Sequence, residues 1–377
     1  MSKLSHSSLE KYKTCPKMWD FHYNKRIRER QIGSPLFFGG AIDSALNVLL
    51  LQKKKVLTDE EKLIIDQSEY DLFDKDFTTV TYNNETFDIS KSLLARYSTA
   101  DFDSDILLQE DLDKLKKYLN DNKYDNSDNP VEVMLDLKLF IKQNTFLKLD
   151  DIDKIYYNYA NWISLRRKGH MMIDAYKKDL LPTIKEVISI QKKIELDNGE
   201  GDTIIGYIDF EAILEGEDHI TICDNKTSSR KYKPESVKES QQLTIYCEAR
   251  QLDNAAFYVL SKNVRKVKHK TCKTCQKVTT GREKTCKEGG TGKNRCNGEF
   301  DVRIECSIDT QIVKDVITED KKEVTFDVIQ DILGDINAGD FHKIDKPNCF
   351  MYGKRCPYYD KCWNDKDSLK GLKDLNE

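Results

Sequence analysis

The side chains best suited to chemistry lie within residues 204–227. Asp209 stands in one apolar, β-branched run, and Asp224 and Lys226 end a second run. Two carboxylates can hold Mg²⁺ or Mn²⁺ through hard oxygen ligands while the ion keeps several waters. Such an ion polarises a phosphoryl oxygen and lowers the pKa of a bound water, and a nearby lysine can orient that water and offset charge on the phosphate. The three residues therefore suit metal-assisted hydrolysis of a phosphodiester.

The elements that must position these residues are two predicted strands. The runs at 204–214 and 219–223 flank a polar turn, which is typical of a β-hairpin. Side chains alternate between the faces of a strand, so Asp224 and Lys226 project from the same side. We expect Asp209 to face them from the neighbouring strand.

The pattern acid-x-Lys is not specific by itself. It also occurs at residues 60–62, 136–138 and 319–321. Charged residues usually lie on a solvated surface, so the tripeptide alone fits a surface role as well. The following segment adds context, because Pro234 opens a predicted helix in which Gln242 and Tyr246 lie four residues apart on one face.

The order and spacing of three motifs carry a resemblance to a known family. The motifs are Gly206-x-x-Asp209, Asp224-x-Lys226 and Gln242-x-x-x-Tyr246. Together they resemble the RecB-type branch of the PD-(D/E)XK nuclease superfamily. That branch includes nuclease domains of bacterial recombination helicase-nucleases, CRISPR-associated adaptation nucleases and standalone phage exonucleases. The resemblance implies that Asp209 and Asp224 bind metal and that Lys226 positions the attacking water. It implies that Gln242 and Tyr246 contact the phosphate or the strand being cut.

The first 50 residues extend the resemblance. Residues 8–21, SLEKYKTCPKMWDF, are similar to the segment with which family members often begin, and Ser7 with Glu10 forms a capping-box pattern. In many relatives a metal-binding histidine opens a helix where Asp43 stands here. A carboxylate is also a competent ligand for Mg²⁺ or Mn²⁺, so Asp43 is a metal candidate. The alternative is an ordinary first-turn aspartate that the helix dipole favours.

Cysteines near both ends of the chain resemble the iron–sulfur staple of this family. Cys356-Pro-x-x-x-x-Cys362, preceded by Cys349, is similar to its C-terminal half, and Cys15 corresponds to the distant first ligand. The resemblance implies a [4Fe–4S] cluster on four thiolates, with a structural role that ties the two ends together. A second zinc ion is the alternative, since thiolate spacing alone does not separate the two metals.

Four further cysteines share one lysine- and arginine-rich segment. They are Cys272, Cys275, Cys286 and Cys296. A Cys-x2-Cys pair with two later cysteines fits four thiolates around a tetrahedral Zn²⁺, and Gly289, Gly290 and Gly292 permit tight turns. The basic residues suggest contacts with phosphates. A solvated zinc knob without DNA contact is the other interpretation.

Composition bounds the class of protein. The 377 residues suffice for one large or two ordinary domains, and a net charge of −4 neither supports nor excludes DNA, because a local basic groove is enough. The sequence has neither an apolar signal core nor a run of 18 apolar residues, so we expect a soluble, cytoplasmic protein. Eleven cysteines without a secretion signal favour metal sites over disulfides. We expect Cys223, Cys247 and Cys306 to be buried core residues.

The resemblance implies an α/β fold, with a restriction-endonuclease-like mixed sheet flanked by helices, to which this sequence adds a helical insertion and a small zinc-ribbon-like insertion. Core strands are predicted at 188–196 and 255–260, the second followed by a basic segment at 262–270. The predicted divisions are 1–50 and 188–262 for the nuclease core, 51–187 for the helical insertion, 263–300 for the cysteine-rich insertion, and 301–377 for C-terminal core elements with the iron–sulfur cysteines. The helical insertion carries no catalytic signature, so a strand-guiding roof and a purely structural cap both stay open.

The resemblance implies a Mg²⁺- or Mn²⁺-dependent deoxyribonuclease, in particular an exonuclease that acts on DNA ends in recombination, repair or phage DNA processing. The sequence has no Gly-x-x-x-x-Gly-Lys-Ser/Thr motif, so the protein works alone or with a helicase or recombination partner. One alternative is a non-catalytic nucleic-acid-binding or assembly protein that retains the fold. The presence of Asp209, Asp224 and Lys226 counts against it. The aspartate at position 43, where many relatives have a histidine, counts for it. Another alternative is an endonuclease with site or structure preference.

Overall fold

The structure, a computed structural model, describes residues 3–29, 32–82, 85–88, 155–156, 159–197, 201–288, 296–351 and 354–376. Its helices are α1 (His6–Thr14), α2 (Pro16–Trp19), α3 (Ser34–Leu51), α4 (Asp59–Ile64), α5 (Glu69–Thr78), α6 (Tyr159–Ala175), α7 (Ser236–Glu239), α8 (Gln241–Arg250), α9 (Glu319–Ala338) and α10 (Tyr359–Trp363). Turns of π-helix follow α2 and α6 at Asp20–Asn24 and Tyr176–Leu180, and 3₁₀ turns lie at Leu181–Thr183 and Lys346–Cys349. Its strands are β1 (Lys3–Ser5), β2 (Ile27–Glu29), β3 (Ile32–Gly33), β4 (Thr79–Tyr82), β5 (Glu85–Asp88), β6 (Ile155–Tyr156), β7 (Ile184–Asp197), β8 (Thr203–Leu214), β9 (Ile220–Ser228), β10 (Asn254–Cys272), β11 (Val278–Thr279), β12 (Phe300–Val316), β13 (Phe350–Met351), β14 (Lys354–Arg355) and β15 (Leu372–Asp374).

Seven strands form the central sheet. Its main path runs β1-β8-β9-β10-β11, with β7 also paired to β8 and β12 also paired to β10. The β1–β8 and β9–β10 pairs are parallel, and the remaining pairs are antiparallel. Helices pack on both faces of this mixed sheet. The predicted α/β class is therefore confirmed.

Each face of the sheet buries its own hydrophobic cluster. The cluster beneath α3, α5 and α6, on what we term the α3 face, includes Leu46, Phe73, Met172, Tyr176, Phe210 and Tyr258. The cluster beneath α1, α8 and α9, on the α8 face, includes Leu9, Ile208, Leu243, Phe257 and Ile329. Burial of apolar surface at roughly 25 cal/mol per Å² makes these two layers the main stabilising term of the fold.

The ladder between β8 and β9 is short, and its end opens a cleft. It joins residues 210–213 to 220–223. Beyond Cys223, strand β9 leaves β8 and continues beside β10. The vacated edge of β8 is occupied by β1 only at 203–205. Asp209 therefore lies where two paired strands separate.

Strand β7 has an irregular backbone opposite this cleft. Gln191 has a φ of 49°, in the left-handed region. The β7–β8 ladder pairs Ile190 with Phe210 and Lys192 with Ile208 but skips Gln191 and Asp209 between them. On β8, Ile208 packs on the α8 face and Phe210 on the α3 face. The break in the ladder therefore changes the direction of the β8 side chains at Asp209. The left-handed backbone of Gln191 costs about 1–2 kcal/mol, which the pairing of the surrounding sheet offsets.

Two predicted helix starts are wrong. Helix α1 is capped by Ser5, whose Oγ accepts the Ser8 N–H at 3.2 Å, and not by the Ser7 capping box. The helix predicted from Pro234 is interrupted at Ser240, which is extended and caps a separate helix α8. Ser240 Oγ accepts the Leu243 N–H at 3.2 Å, which pairs one of the otherwise unpaired donors at the start of α8 and stabilises the new helix start.

Two predicted strands are longer than expected. Strand β7 begins at Ile184 rather than 188. Strand β10 continues from Leu260 through the basic segment to Cys272, because β12 pairs along its whole length on either side of a bulge between Leu260 and Val264. We call the outer part of this hairpin, residues 264–271 and 300–308, the arm. The cysteine-rich residues 272–299, which begin at the last residue of β10, connect its two strands, and we call them the tip.

The two ends of the described chain are joined. Strand β15 pairs with β2, and Asn376 Nδ2 donates to the Lys25 carbonyl at 2.9 Å. Tyr358 Oη donates to the Ile27 carbonyl at 2.9 Å. A small hydrophobic cluster of Phe21, Ile27, Tyr358 and Leu372 lies beneath this contact. We call this arrangement the clasp.

The described parts of the predicted insertion at 51–187 include helices α4, α5 and α6 and the β4–β5 hairpin. Helix α6 places Met172 in the main core. The predicted loop at 120–128 and Gly289, Gly290 and Gly292 lie outside the described residues. None of the helices that the structure describes combines the length and apolarity needed to cross a membrane.

Candidate active site

Asp209 and Asp224 meet at the cleft between β8 and β9. Asp209 Oδ2 accepts the backbone N–H of Asn225 at 2.8 Å, a donor on the edge of β9 that β8 has left. Asp224 is only 1% exposed. Burial and then the negative charge of Asp224 raise the pKa of Asp209 well above its ordinary value. Burial also raises the pKa of Asp224. The two carboxylates therefore converge in a desolvated site that disfavours their charge.

Lys226 is the cation of this site. Its Nζ lies 2.6 Å from Asp224 Oδ2 and donates to Gln242 Oε1 at 3.0 Å. The ammonium also lies 5.9 Å from the centroid of the Phe257 ring. Burial alone would lower the pKa of Lys226, but the neighbouring Asp224 carboxylate outweighs burial and raises it. Lys226 therefore enters the site as a charged hydrogen-bond donor.

Helix α8 brings Gln242 and Tyr246 to the same place. Gln242 Nε2 donates to Tyr246 Oη at 3.0 Å while its Oε1 accepts from Lys226. Tyr246 packs against β8 at Gly206, where a Cβ atom would stand 2.8 Å from Tyr246 Cε1. The glycine of the first motif thus makes room for the tyrosine of the third. The structure places all five predicted catalytic residues in one connected group.

Asp43 reaches the site from the opposite face of the sheet. It lies in the middle of α3, so the expectation that it opens a helix and the alternative of a first-turn aspartate are both wrong. It lines the same cavity as Asp209 and Asp224. Gln191 Nε2 donates to Asp43 Oδ2 at 3.0 Å. Burial and then the charge of Asp224 raise the pKa of Asp43 to about 6.

The cavity has a donor set that fits a hard divalent cation. Its volume is about 360 Å³, and Asp43, Asp209 and Asp224 contribute three carboxylates against the single ammonium of Lys226. The side-chain amide of Asn225 also lines the cavity, and neither its oxygen nor its nitrogen has a hydrogen-bond partner although both are buried. Oxygen ligands in this number suit Mg²⁺ or Mn²⁺, and a bound cation would offset the excess negative charge.

One residue of the site was missed from the sequence. Gln191 lies in a strand with no motif, and its contact with Asp43 depends on a left-handed backbone that the sequence does not signal. For Asn225 the sequence points to the backbone carbonyl as a metal ligand and not to the side-chain amide, because alternation puts that amide on the opposite face of β9. Glu195, the acidic residue of β7 nearest in sequence to Gln191 on its C-terminal side, is outside the site and pairs with Lys193 on the surface.

The four cysteines of the tip form a compact group. Their sulfurs all lie within 4.8 Å of one another. Cys272 Sγ is 3.6 Å from Cys296 Sγ, and Cys275 Sγ is 3.5 Å from Cys286 Sγ. Four thiolates at about 2.3 Å from a tetrahedral Zn²⁺ stand about 3.8 Å apart, so the spacing fits one ion. The backbone N–H of Cys275 lowers the pKa of Cys272 to about 6, which favours the thiolate that a metal needs.

The terminal cysteines are neighbours at the clasp. Cys15 Sγ accepts the Met18 N–H at 3.4 Å, and the Cys356 N–H donates to the Cys349 carbonyl at 2.8 Å. Burial first, and then the charges of Cys15 and Cys349, raise the pKa of Cys356 to about 11. Within the described part of the chain, the cysteines of the tip are the group whose ligand atoms lie within single-ion distance of one another.

Comparison of the sequence with models of known protein families gives a match that covers most residues of the candidate site. A family model described as the PD-(D/E)XK nuclease superfamily matches residues 149–363, more than half of the chain. The match contains both strands of the cleft, helix α8, the arm and the tip, whereas Asp43 and Cys15 lie outside it. No curated protein matches the chain.

Proposed function

Because the chain belongs to the PD-(D/E)XK nuclease superfamily, we propose that it is a Mg²⁺- or Mn²⁺-dependent deoxyribonuclease, specifically a RecB-type exonuclease that acts on DNA ends. The observation that carries this proposal is the convergence of Asp209, Asp224 and Lys226 where β8 and β9 separate. The family suggests a metal-dependent nuclease, and its fold implies DNA as the substrate. The order Gln242-x-x-x-Tyr246 after the cleft supports the RecB-type assignment.

Asp209, Asp224 and Asp43 would hold the divalent cation. When bound, that cation supplies Lewis acidity toward a phosphoryl oxygen and a more acidic water. Repulsion among the three carboxylates is unfavourable without a cation, so it favours the binding of a cation. Gln191 fixes Asp43 Oδ2, so the carboxylate from α3 is oriented before the cation arrives.

Lys226 positions the attacking water in the proposed reaction. An ammonium has three donors, and Asp224 and Gln242 occupy two of them. The third can orient the water or stabilise negative charge on the phosphate. Gln242 donates to Tyr246 Oη, so the proton of the tyrosine hydroxyl is left to contact the phosphate or the strand being cut.

We assign structural roles to the two cysteine groups. The spacing at the tip supports Zn²⁺. The resemblance of Cys15, Cys349, Cys356 and Cys362 to the family's iron–sulfur staple supports a [4Fe–4S] cluster on these four thiolates. Anaerobically prepared protein should be brown, with absorbance near ~400 nm, and should contain zinc. Colourless, iron-free protein would contradict the cluster.

The function is tested by cleavage of end-labelled linear DNA and covalently closed circular DNA with Mg²⁺ or Mn²⁺. We expect loss of the linear DNA only, and no cleavage by Lys226→Ala. Nicking of the closed circle would indicate an endonuclease instead. Failure to cleave by protein that retains its metals and binds DNA would indicate a binding or assembly role. The biological setting that we propose is recombination, repair or phage DNA processing, either alone or beside a helicase.

A further inference from the structure

The connection between β9 and α7, residues 229–235, follows directly after the strand that carries Lys226. We call it the β9–α7 loop. It contains three cations and one tyrosine in succession, Arg230, Lys231, Tyr232 and Lys233. The cations are exposed, and none of them forms an ion pair with a residue that the structure describes. Arginine, lysine and tyrosine side chains are common donors to the phosphates of a nucleic acid, so the loop has the composition of a phosphate-binding segment.

Side-chain hydrogen bonds fix the first half of this loop. Ser228 Oγ donates to the Arg230 carbonyl at 2.7 Å and accepts the Arg230 N–H at 3.1 Å. Asn263, at the bulge of β10, donates through Nδ2 to the Ser229 carbonyl at 2.7 Å. The backbone is therefore held in place before a substrate arrives, which reduces the conformational entropy lost on binding.

The side chain of Gln311, on β12, holds Tyr232 through both of its polar groups. Gln311 Oε1 accepts the Tyr232 N–H at 3.0 Å, and Gln311 Nε2 donates to the Tyr232 carbonyl at 2.8 Å. The Tyr232 ring packs at 75° to the ring of Phe257, with the centroids 5.0 Å apart. The Tyr232 hydroxyl has access to solvent and forms no hydrogen bond with any described residue. The backbone and ring are thus fixed while the hydroxyl stays available to a ligand.

Phe257 connects Tyr232 to the active site. Its ring contacts Tyr232 and also lies 5.9 Å from Lys226 Nζ. Phe257 and Tyr232 pack in the cluster of the α8 face, the face from which Gln242 reaches Lys226. Burial raises the pKa of Tyr232, while the charge of Lys226 lowers it and that of Asp224 raises it. Tyr232 therefore lies beside the cleft, on the side of Lys226 and within electrostatic range of both charges.

Tyr232 and Tyr246 differ in what their hydroxyls can reach. Tyr246 is 5% exposed, and its Oη already accepts from Gln242 at the inner wall of the site. Tyr232 does not line the cavity that holds the carboxylates, and its hydroxyl is unpaired. The two tyrosines therefore suit different phosphates of one strand, with Tyr232 outside the cavity.

We propose that Tyr232 is a substrate-binding residue whose hydroxyl donates a hydrogen bond to the phosphate next to the one being cleaved. Lys231 and Lys233, on either side of it in the loop, bind the neighbouring phosphates. This inference rests on the proposed function for the identity of the substrate. Contacts of this kind fix the position of the strand without reading its bases.

The test is the affinity of the full-length protein for a labelled single strand of about 8 nucleotides at several salt concentrations. The protein is purified anaerobically and without chelator, so that its cysteine sites keep their metals. Mg²⁺ and Mn²⁺ are left out so that the probe survives, and gel electrophoresis confirms its length. The variants are Tyr232→Phe and the pair Lys231→Gln with Lys233→Gln.

Each variant has a matched control outside the active site. Tyr359→Phe removes the hydroxyl of another half-buried tyrosine, which packs beside Phe350 and forms no hydrogen bond through its hydroxyl with a described residue. The pair Lys366→Gln with Lys370→Gln removes two exposed lysines between α10 and β15. The controls therefore make the same chemical changes far from the β9–α7 loop in the chain.

We expect Tyr232→Phe to weaken the Kd about tenfold, because it loses one hydrogen bond to a charged acceptor. The double lysine variant should flatten the salt slope by roughly 1.4, the value for two lost contacts with a single strand. Both controls should stay within about twofold of the parent. Affinity of Tyr232→Phe equal to that of the parent, or an equal loss in Tyr359→Phe, would overturn the contact.

A set of modified probes separates a direct contact from a structural role of Tyr232. In each probe one phosphate is replaced by an uncharged methylphosphonate, and the replaced linkage is moved along the strand. At the linkage that Tyr232 contacts, the parent and Tyr232→Phe should bind about equally, whereas at other linkages the difference between them should persist. The same difference with every probe would show that Tyr232 only supports the loop, which would overturn the contact.

The binding proposal and the nuclease proposal fail separately. With Mg²⁺ or Mn²⁺ added, Tyr232→Phe should raise KM for cleavage with little change in kcat, because the adjacent phosphate is held equally before and during the reaction. If the parent cleaves but Tyr232→Phe binds normally, the contact is wrong and the nuclease stands. If the parent does not cleave but the variants show the expected binding pattern, the contact stands and the nuclease proposal is wrong.

Discussion

The cleft and the tip both gather ligands suited to metal, but they do so in opposite ways. At the cleft, Asp43, Asp209 and Asp224 come from three elements of the main core, α3, β8 and β9. At the tip, four cysteines come from one short connection between two strands. The apolar clusters hold the cleft residues in place whether or not an ion is present. At the tip the ligands themselves are the principal buried groups, with Cys272 and Cys286 at 0% and 1% exposure.

This difference separates two uses of metal. The cleft stores unfavourable repulsion between carboxylates, which a cation relieves, so ion binding there is linked to reactivity. The tip has little apolar surface to bury, so metal binding there is linked to folding. Removing the ion from the cleft should leave the fold intact, whereas removing it from the tip should unfold the tip alone.

The largest expected effect is on catalysis. Asp224→Asn removes a proposed cation ligand and the ion-pair partner of Lys226, so cleavage should fall at least ~1,000-fold. The thermal midpoint of the metal-free protein should not fall, because a buried carboxylate with a raised pKa has been neutralised. Cleavage assays and calorimetry measure both. The control Glu195→Gln, on the surface, should cleave and unfold as the parent does. A large fall in the thermal midpoint of Asp224→Asn would contradict the prediction that the core is stable without the ion.

The next effect concerns the tip. Cys286→Ser removes one of the four thiolates of the proposed zinc site, so the tip should no longer bind zinc and should open to trypsin at Lys273, Lys277 and Lys284. The main thermal transition should persist, because the apolar clusters do not include the tip. Elemental analysis and limited proteolysis provide the measurements. Global unfolding of the variant would contradict the prediction that metal binding at the tip stabilises the tip alone.

A third effect is the pH dependence of stability without Mg²⁺ or Mn²⁺. The folded protein raises the pKa of Asp43 from 3.8 to about 6, so Asp43 binds more protons folded than unfolded between these values. Its contribution is present below the unfolded pKa and is lost as pH rises through the folded pKa, by about 1–3 kcal/mol. Urea unfolding from pH 4 to 7 should show this fall. It should be smaller in Asp43→Asn, and an identical profile in that variant would contradict the assignment.

A smaller effect is expected at Gln191. Gln191→Gly and Gln191→Ala both lose the hydrogen bond to Asp43, so each should weaken Mn²⁺ binding several-fold. Only alanine keeps the left-handed strain, so Gln191→Ala should be less stable than Gln191→Gly by about 1 kcal/mol. Titration calorimetry and chemical denaturation separate the two outcomes. Equal stability of the two variants would show that the strain is not carried at this residue.

The smallest effect is expected at Tyr246. Tyr246→Phe removes the hydroxyl that accepts from Gln242 but keeps the ring against Gly206. Lys226 keeps its partner Asp224, so turnover should fall only about 3–10-fold, comparable to one hydrogen bond of ~1 kcal/mol. Steady-state cleavage measures it. A loss as large as that of Asp224→Asn would place Tyr246 at the reacting atoms.

The sequence predicts the parts of the site that depend on local patterns. Alternation along a strand places Asp224 beside Lys226, and the spacing of four residues along a helix places Gln242 beside Tyr246. Both contacts therefore follow from the side-chain periodicity of strands and helices. The fold class follows from the family resemblance that these motifs carry.

The sequence does not predict features that arise when distant segments pair. The separation of β8 and β9, the left-handed Gln191 and the mid-helix position of Asp43 depend on tertiary packing. The full length of β10 depends on a partner strand that follows it by about thirty residues. The domain divisions and the residue roles stay predictions.

The clasp has a consequence for how the protein is synthesised. A ribosome makes the chain from the N-terminus, so β2 leaves the exit tunnel long before its partner β15 exists. The contact between Asn376 and Lys25 closes a separation of 351 residues, and β1 must likewise wait for β8. Such high contact order slows folding, because loop-closure entropy is lost before the contacts form. Strands β1 and β2, which are translated well before their partners, are therefore among the last parts of this structure to reach their native positions.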